Sequence, residues 1–501
     1  MFARNFFTVS FFVSLSRILG FVRDILIARF IGIGLLSDVF FAAFRVPNFF
    51  RRVFAEGAFN NAFVPIFIDK CQDQIKAKQF LGNIISWLSM VLLLIVICFQ
   101  LFMPFLMQIF FPGFFAVAEK GDLLINLSRI TIFYLFFIVI FALFASVLNS
   151  LGRFAIPAAS QLILNLTLII FVFFFANIFS NYAYCLSWAV FVAGLLQLLC
   201  IGFFSYRRGF LVLPKLPQIN GDLKLFFRKF LPGIIGANVL QINLLFDSIF
   251  ASAIAGAVSY LYYADRINQL PLALIGIAIG IALLPSLTRK IKENDLQGAT
   301  KLQNTAIEVA ILLAMPASLA LTILAEPIIA VLFERGAFGG NETIQVAKAL
   351  RYYSIGLPAY ILVKIFEPTF FARSNTKTPM YIAIGCVVVN ITLNYIFSYL
   401  NFGFVGIILA SIIASYLNFT CLLLFAIHKQ YFRFATNFWR DIVKIMLCAL
   451  LMAGCLLLLC FYWQQHWQIW QLFLAICCGI AVYAFSAYFA GYAKLLKKIK
   501  R

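Results

Sequence analysis

Fourteen apolar stretches follow one another along the 501 residues, each long enough to cross a ~30 Å hydrocarbon layer as a helix. Their limits are 6–32, 37–68, 81–110, 123–149, 156–178, 183–205, 223–254, 259–288, 302–333, 345–372, 379–399, 403–427, 440–463 and 469–493. Inside lipid every backbone polar group needs a partner within the protein, so such runs become helices. The expected fold class is an all-α polytopic membrane protein with 14 transmembrane helices. A chain that is 64% hydrophobic excludes a soluble domain on one anchor, since soluble domains run about 45–50% apolar. The first run lacks a small-residue cleavage site and leads directly into Ser16-Arg17. It reads as a retained span rather than a signal peptide.

The net charge of +21 would suggest nucleic acid in a soluble protein. Here it follows membrane topology. With the N-terminus in the cytoplasm, inner segments hold 26 of the 39 Lys and Arg residues, outer loops hold Lys120, Arg335 and Lys348, and 10 lie within spans. That asymmetry predicts both termini inside and basic loops facing an anionic leaflet, with no nucleic-acid partner. The 11 cysteines are scattered without metal spacing and read as free thiols. His428 and His466 stand apart in loops.

Three markers suggest an internal repeat. Pro65 pairs with Pro285, Pro157 with Pro379, and Asn165 with Asn390, at offsets of 220, 222 and 225. Two six-span halves in the same orientation would follow, related about the membrane normal. The expected organisation is an N-lobe over 1–206, a cytoplasmic linker over 207–222, a C-lobe over 223–428, and a further helix pair with a basic tail over 429–501. "FAEGAF" at 54–59 and "FERGAF" at 333–338 differ by 279 and stand outside the repeat.

Charges are unevenly spread over the spans. Arg17, Arg23, Arg29, Arg45, Arg51 and Arg52 fall in the first two, with Asp24, Asp38 and Glu56, leaving that hairpin at net +3. Each charge near the bilayer centre costs about 2.5–3.5 kcal/mol on insertion scales, so such residues face an interior or a ligand. Asp38, Arg45 and Arg52 are seven apart, as are Arg17 and Asp24, and seven residues return to nearly the same helix face. Arg29 and Asp38 lie near span ends, where a charge can instead snorkel to water. Span 2 is overlong, with Pro47, Gly57 and Pro65 as places to bend. Span 8 carries Asp265 and Arg266 ahead of Pro271. A cavity rich in arginine favours an anion, and a guanidinium fork fits phosphate oxygens. The acids Asp24 and Glu56 would hold arginines in place.

The segments "SRILGFVRD", "FRVPNFFRRVFAEGAFNNAFVPIF", "YYADRINQLPLALIGIAIGIALLPSLTR" and "EPIIAVLFERGAF" resemble the MurJ/MviN family of lipid II flippases, in the multidrug/oligosaccharidyl-lipid/polysaccharide exporter superfamily. The resemblance covers essentially the whole chain. It implies two six-helix lobes plus two helices that form a groove for a polyprenyl tail. It also implies transport of the lipid-linked peptidoglycan precursor, lipid II, across a bacterial inner membrane by a monomer. By motif it assigns Arg17, Arg23, Asp24, Arg51, Arg52, Glu56 and Arg266 to substrate binding, with Asp38 and Asp265 in support. Some members bind sodium, for which Asp247, Asn390 and Asn394 are the candidates; this chain has Asn394 where such a member carries an acid. No other cofactor is expected. The alternatives are a flippase for another polyprenyl-linked glycan, or a drug/cation antiporter of the same superfamily. The outer-loop acids form no paired catalytic motif and no Walker loop is present, so an enzyme or a direct ATP-driven pump is not expected.

Overall fold

A computed structural model describes residues 2–53, 59–237, 239–463 and 467–492. The chain divides into two compact units, Met1–Ser259 with Arg335–Phe338, and Tyr260–Glu334 with Gly339–Arg501. Among the described residues the fold is helical throughout, without strands.

The first unit contains α1 (Phe2–Ile31), α2 (Leu35–Val53), α3 (Phe59–Lys70), α4 (Gln74–Phe110), α5 (Ala118–Thr131), α6 (Phe133–Ser150), α7 (Ala155–Ile170), α8 (Tyr182–Arg207), α9 (Gly221–Ala237) and α10 (Val239–Ser252). α11 (Ala257–Pro271) begins at its edge. The second unit continues with α12 (Ala278–Lys292), α13 (Leu296–Ile323), α14 (Ala325–Phe333), α15 (Gly340–Phe371), α16 (Lys377–Tyr399), α17 (Gly403–His428), α18 (Phe438–Tyr462) and α19 (Ile469–Phe489).

Eleven helical segments among the described residues are long and apolar enough to cross a membrane. The expected spans 1, 2 and 7 fall on α1, on α2 with α3, and on α9 with α10, outside that set. The reason is physical. α1 and α2 carry the in-span charges, while α3, α9 and α10 are each shorter than a full crossing.

The element boundaries have local causes. Asp73 caps α4, its carboxylate accepting from Ile75 N at 2.9 Å and Lys76 N at 3.3 Å. Asp295 does the same for α13 through Gly298 N at 2.7 Å. Pro271 ends α11 and is followed by a π-helical turn, Leu272–Ile277, before α12 resumes. Pro157 is the third residue of α7 and Pro379 the third of α16, a position where a missing N–H is tolerated. These two repeat markers thus occupy the same place in their helices.

The segment 207–222, expected between the halves, lies in the first unit together with α9 and α10. Its backbone is held by α4: Lys215 N donates to Ser86 Oγ at 2.7 Å, and Gln218 N to Asn83 Oδ1 at 2.9 Å. The eleven cysteines are free.

Candidate substrate site

The charged stretch of α1 is built around Arg23. Its Nε and Nη2 donate to Asp24 Oδ1 at 3.0 and 2.6 Å, and its Nη1 donates to Asn165 Oδ1 at 3.0 Å. Asn165 Nδ2 in turn donates to the carbonyl of Ser16 at 3.0 Å. The network joins α1 to α7. Arg23 is 8% exposed and Asp24 0%. A guanidinium so deeply buried requires a paired carboxylate, because an unpaired buried charge costs several kcal/mol. Asp24 therefore positions Arg23, as the sequence suggests. One turn and a half earlier, Arg17 is exposed.

The second row of charges runs down α2. Asp38, Arg45 and Arg52, spaced by seven, all meet the chain at and just beyond α10. Arg52 Nη1 donates to Gln241 Oε1 at 3.2 Å, and Arg45 Nη2 to the carbonyl of Leu244 at 2.7 Å. Asp38 accepts from Gly256 N at 2.9 Å, from Ser259 N at 3.1 Å and from Ser259 Oγ at 2.8 Å. The partners' numbers rise as the row's numbers fall, so the two segments run antiparallel. Asp38 is 0% exposed, and Lys120 Nζ lies 3.2 Å from its Oδ2. A carboxylate there meets the free N–H groups where α11 begins, the positive end of the helix dipole. Asp38 thus ties span ends together instead of snorkelling. Arg51 points elsewhere and donates to Asn48 Oδ1 at 2.9 Å on its own helix. Arg45, Arg51 and Arg52 are half-buried.

Arg29 is exposed, and its carbonyl accepts from Ala337 N at 2.8 Å. Ala337 lies in the "FERGAF" segment, whose residues 335–338 group with the first unit. Gly32 and Gly336 sit at this contact with φ of +68° and +61°, and a Cβ on either would collide with backbone.

Of the other expected site residues, Glu56 lies outside the described residues. Arg266 and Asp265 are half-buried in the second unit, where Gln269 Nε2 donates to Asp265 Oδ2. Asp247 is 4% exposed on α10, whereas Asn390 and Asn394 are buried in the second unit. Asn394 Nδ2 donates to Asn390 Oδ1 at 3.0 Å, and Asn390 Nδ2 to Ser411 Oγ at 3.1 Å. These amides serve each other and link α16 to α17. Among the described residues no cluster of three or more His, Cys, Asp or Glu is placed to hold a metal ion. Asn390 and Asn394 thus form a hydrogen-bonded link within the second unit.

Asn165 and Arg45 did not stand out as site residues in the sequence. Asn165 was visible only as a repeat marker, and an amide carries no charge signal. Arg45 had a usable signal, its place one heptad from both Asp38 and Arg52.

The helical fold, the in-span charge networks and the eleven helices among the described residues that are long and apolar enough to cross a membrane define a polytopic membrane protein. Its fold is shared with an inward-facing multidrug resistance MATE family transporter of the MOP superfamily, at a TM-score of 0.70 over 83% of this chain and 94% of that one, with 16% identity. A solved structure of the lipid II flippase MurJ in an inward closed conformation matches more fully, at a TM-score of 0.84, 29% identity, and coverage of 97% and 99%. Residues 27–478 match the family described as Lipid II flippase MurJ, and the chain belongs to that family. A probable lipid II flippase MurJ of Rhizobium tropici is 38% identical over 92% of this chain and 87% of its own length. One from Rickettsia prowazekii is 34% identical over 99% and 98%.

Proposed function

We propose that this protein is a lipid II flippase that moves the undecaprenyl-diphosphate-linked peptidoglycan precursor from the inner to the outer leaflet. The observation that carries the reading is the family match across residues 27–478, with relatives of that name aligned end to end. A transporter of this family catalyses no chemical reaction, and its setting is the bacterial inner membrane, crossed many times. Both termini are assigned to the cytoplasm on the distribution of Lys and Arg.

The arginines supply the chemistry. A diphosphate carries charge that guanidinium groups match bidentately. Arg17 is exposed, and Arg51 and Arg52 are half-buried; these are the groups assigned to meet the headgroup. Arg23, fully engaged by Asp24 and Asn165, is assigned to hold the shape and positive potential of the α1–α7 wall. Glu56 and Arg266 enter this assignment on the family resemblance alone. Transport is proposed to proceed by alternating access, with the polyprenyl tail staying in lipid beside α18 and α19 and the protein acting as a monomer. Binding the anion relieves repulsion among arginines and permits closure on the inner side. Return of a net-positive carrier would draw on the membrane potential, about 2.3 kcal/mol per charge per 100 mV.

The test is depletion in the native cell with an assay of which leaflet holds lipid II. Accumulation in the inner leaflet is expected, and normal outward delivery without the protein overturns the reading. Purified protein in vesicles should flip lipid II in preference to other polyprenyl-linked glycans, which separates the alternatives.

A further inference from the structure

The segment joining α8 to α9 is an extended strap with a sided sequence, "RRGFLVLPKLPQING" over 207–221. Phe210 packs inward on Phe67, with ring centroids 5.5 Å apart, and Val212 closes over Gly82. Beyond them Leu213, Leu216 and Ile219, spaced by three, face outward, 75%, 90% and 70% exposed. So large an exposed apolar row on a pinned strap calls for a partner.

α4 gives its depth. The exposed apolar stripe of that helix runs from Val91 to Ile109, about 27 Å at 1.5 Å per residue. That length corresponds to the hydrocarbon core. The strap is fastened to Asn83, Ser86 and Trp87, the last donating from Nε1 to the carbonyl of Gln218 at 3.1 Å. Those anchors lie about 6–12 Å before the stripe begins, the level of the lipid headgroups. The backbone suits that depth. Pro214 and Pro217 have no N–H, and Lys215 N and Gln218 N are already bonded to α4, so these four positions leave no backbone donor to be solvated. Charge completes the pattern: Arg207, Arg208 and Lys215 are exposed, and no acid occurs between 207 and 221.

We infer that the strap 209–219 is an interfacial membrane anchor, its leucines and Ile219 inserted at the acyl boundary and its basic residues bound to anionic lipid phosphates. Amphipathic segments bind in this way, and each Lys or Arg near an anionic surface strengthens the attachment. The inference rests on the membrane reading of the chain, and on no property of the substrate.

The experiment uses the full chain in nanodiscs containing phosphatidylglycerol, with p-benzoylphenylalanine introduced singly at Leu213 or Leu216. Leu94, on the α4 stripe, is the lipid-facing reference, and the exposed loop residue Asn294 is the aqueous one. After irradiation, intact-mass analysis should show one-lipid adducts at 213 and 216 in yields within about twofold of Leu94 and severalfold above Asn294. Yields at the Asn294 level, with Leu94 labelled, overturn the anchor. So does cross-linking to a second copy of the chain instead of lipid. Failure at Leu94 too would bring down the membrane reading and the anchor with it. In a second measurement, phosphatidylglycerol should raise the unfolding temperature of the native chain relative to phosphatidylcholine. The combined Arg207→Ser, Arg208→Ser and Lys215→Ser variant should lose most of that rise; an unchanged rise overturns the anionic component.

Discussion

Asn165 on α7 and Asn390 on α16 stand 225 positions apart, the spacing that suggests a repeat, and the two units use them differently. In the first, the amide oxygen accepts from a buried guanidinium and the amide nitrogen ties down the Ser16 carbonyl. In the second, Asn390 accepts from Asn394 and donates to Ser411, a neutral link between two helices. The same residue thus supports a buried charge in one unit and a helix pairing in the other. The lesson concerns energetics. A neutral interhelical hydrogen bond in a membrane is worth about 0.6 kcal/mol on average. A partner of a buried charge is worth more, because its loss leaves that charge undersolvated.

The largest effect should follow from breaking the charged side outright. Asp24→Ala strands Arg23 and should destabilise the protein by about 3–5 kcal/mol, with flipping lost. Unfolding in detergent alongside a vesicle flipping assay measures both, and a near-neutral result would remove the distinction between the units. Asp38→Ala removes three hydrogen bonds at the start of α11 and the ion pair with Lys120 of α5, and a loss of about 3 kcal/mol is expected. Asn165→Ala should cost about 1–3 kcal/mol and reduce flipping. Asn390→Ala should cost about 0.5–1 kcal/mol and leave flipping near the native rate. Equal losses at the two asparagines would erase the comparison.

The smallest effect concerns acid. Asp73 is held below the ordinary 3.8, chiefly by its hydrogen bond from Lys76 N, and Asp295 likewise, chiefly by Lys290. Both caps are intact above the unfolded pKa and are lost as pH falls through the lower folded values. Thermal unfolding should therefore change little from pH 7 to 5 and soften below about 4. Asp73→Asn and Asp295→Asn, which keep a capping oxygen, should blunt that acid response.

Much of this was legible in the chain itself. Apolar run length dictated helices, since lipid offers no alternative to an internally bonded backbone. Heptad spacing put Asp38, Arg45 and Arg52 on one face because helical geometry is local. The Arg23–Asp24 pair was equally visible as adjacent opposite charges in a costly place. The partner of that face was not legible: Gln241, Leu244 and Ser259 come from about 200 residues away, and nothing in one helix records what another will present to it. The same holds for Asn165, an uncharged amide whose value depends on the guanidinium packed against it. The sequence, through periodicity and the cost of charge in lipid, determined that these arginines must face partners or a ligand and not lipid. Only tertiary packing decided which arginine is pinned and which stay accessible, because hydrogen-bond partners are chosen by distance in space and not along the chain.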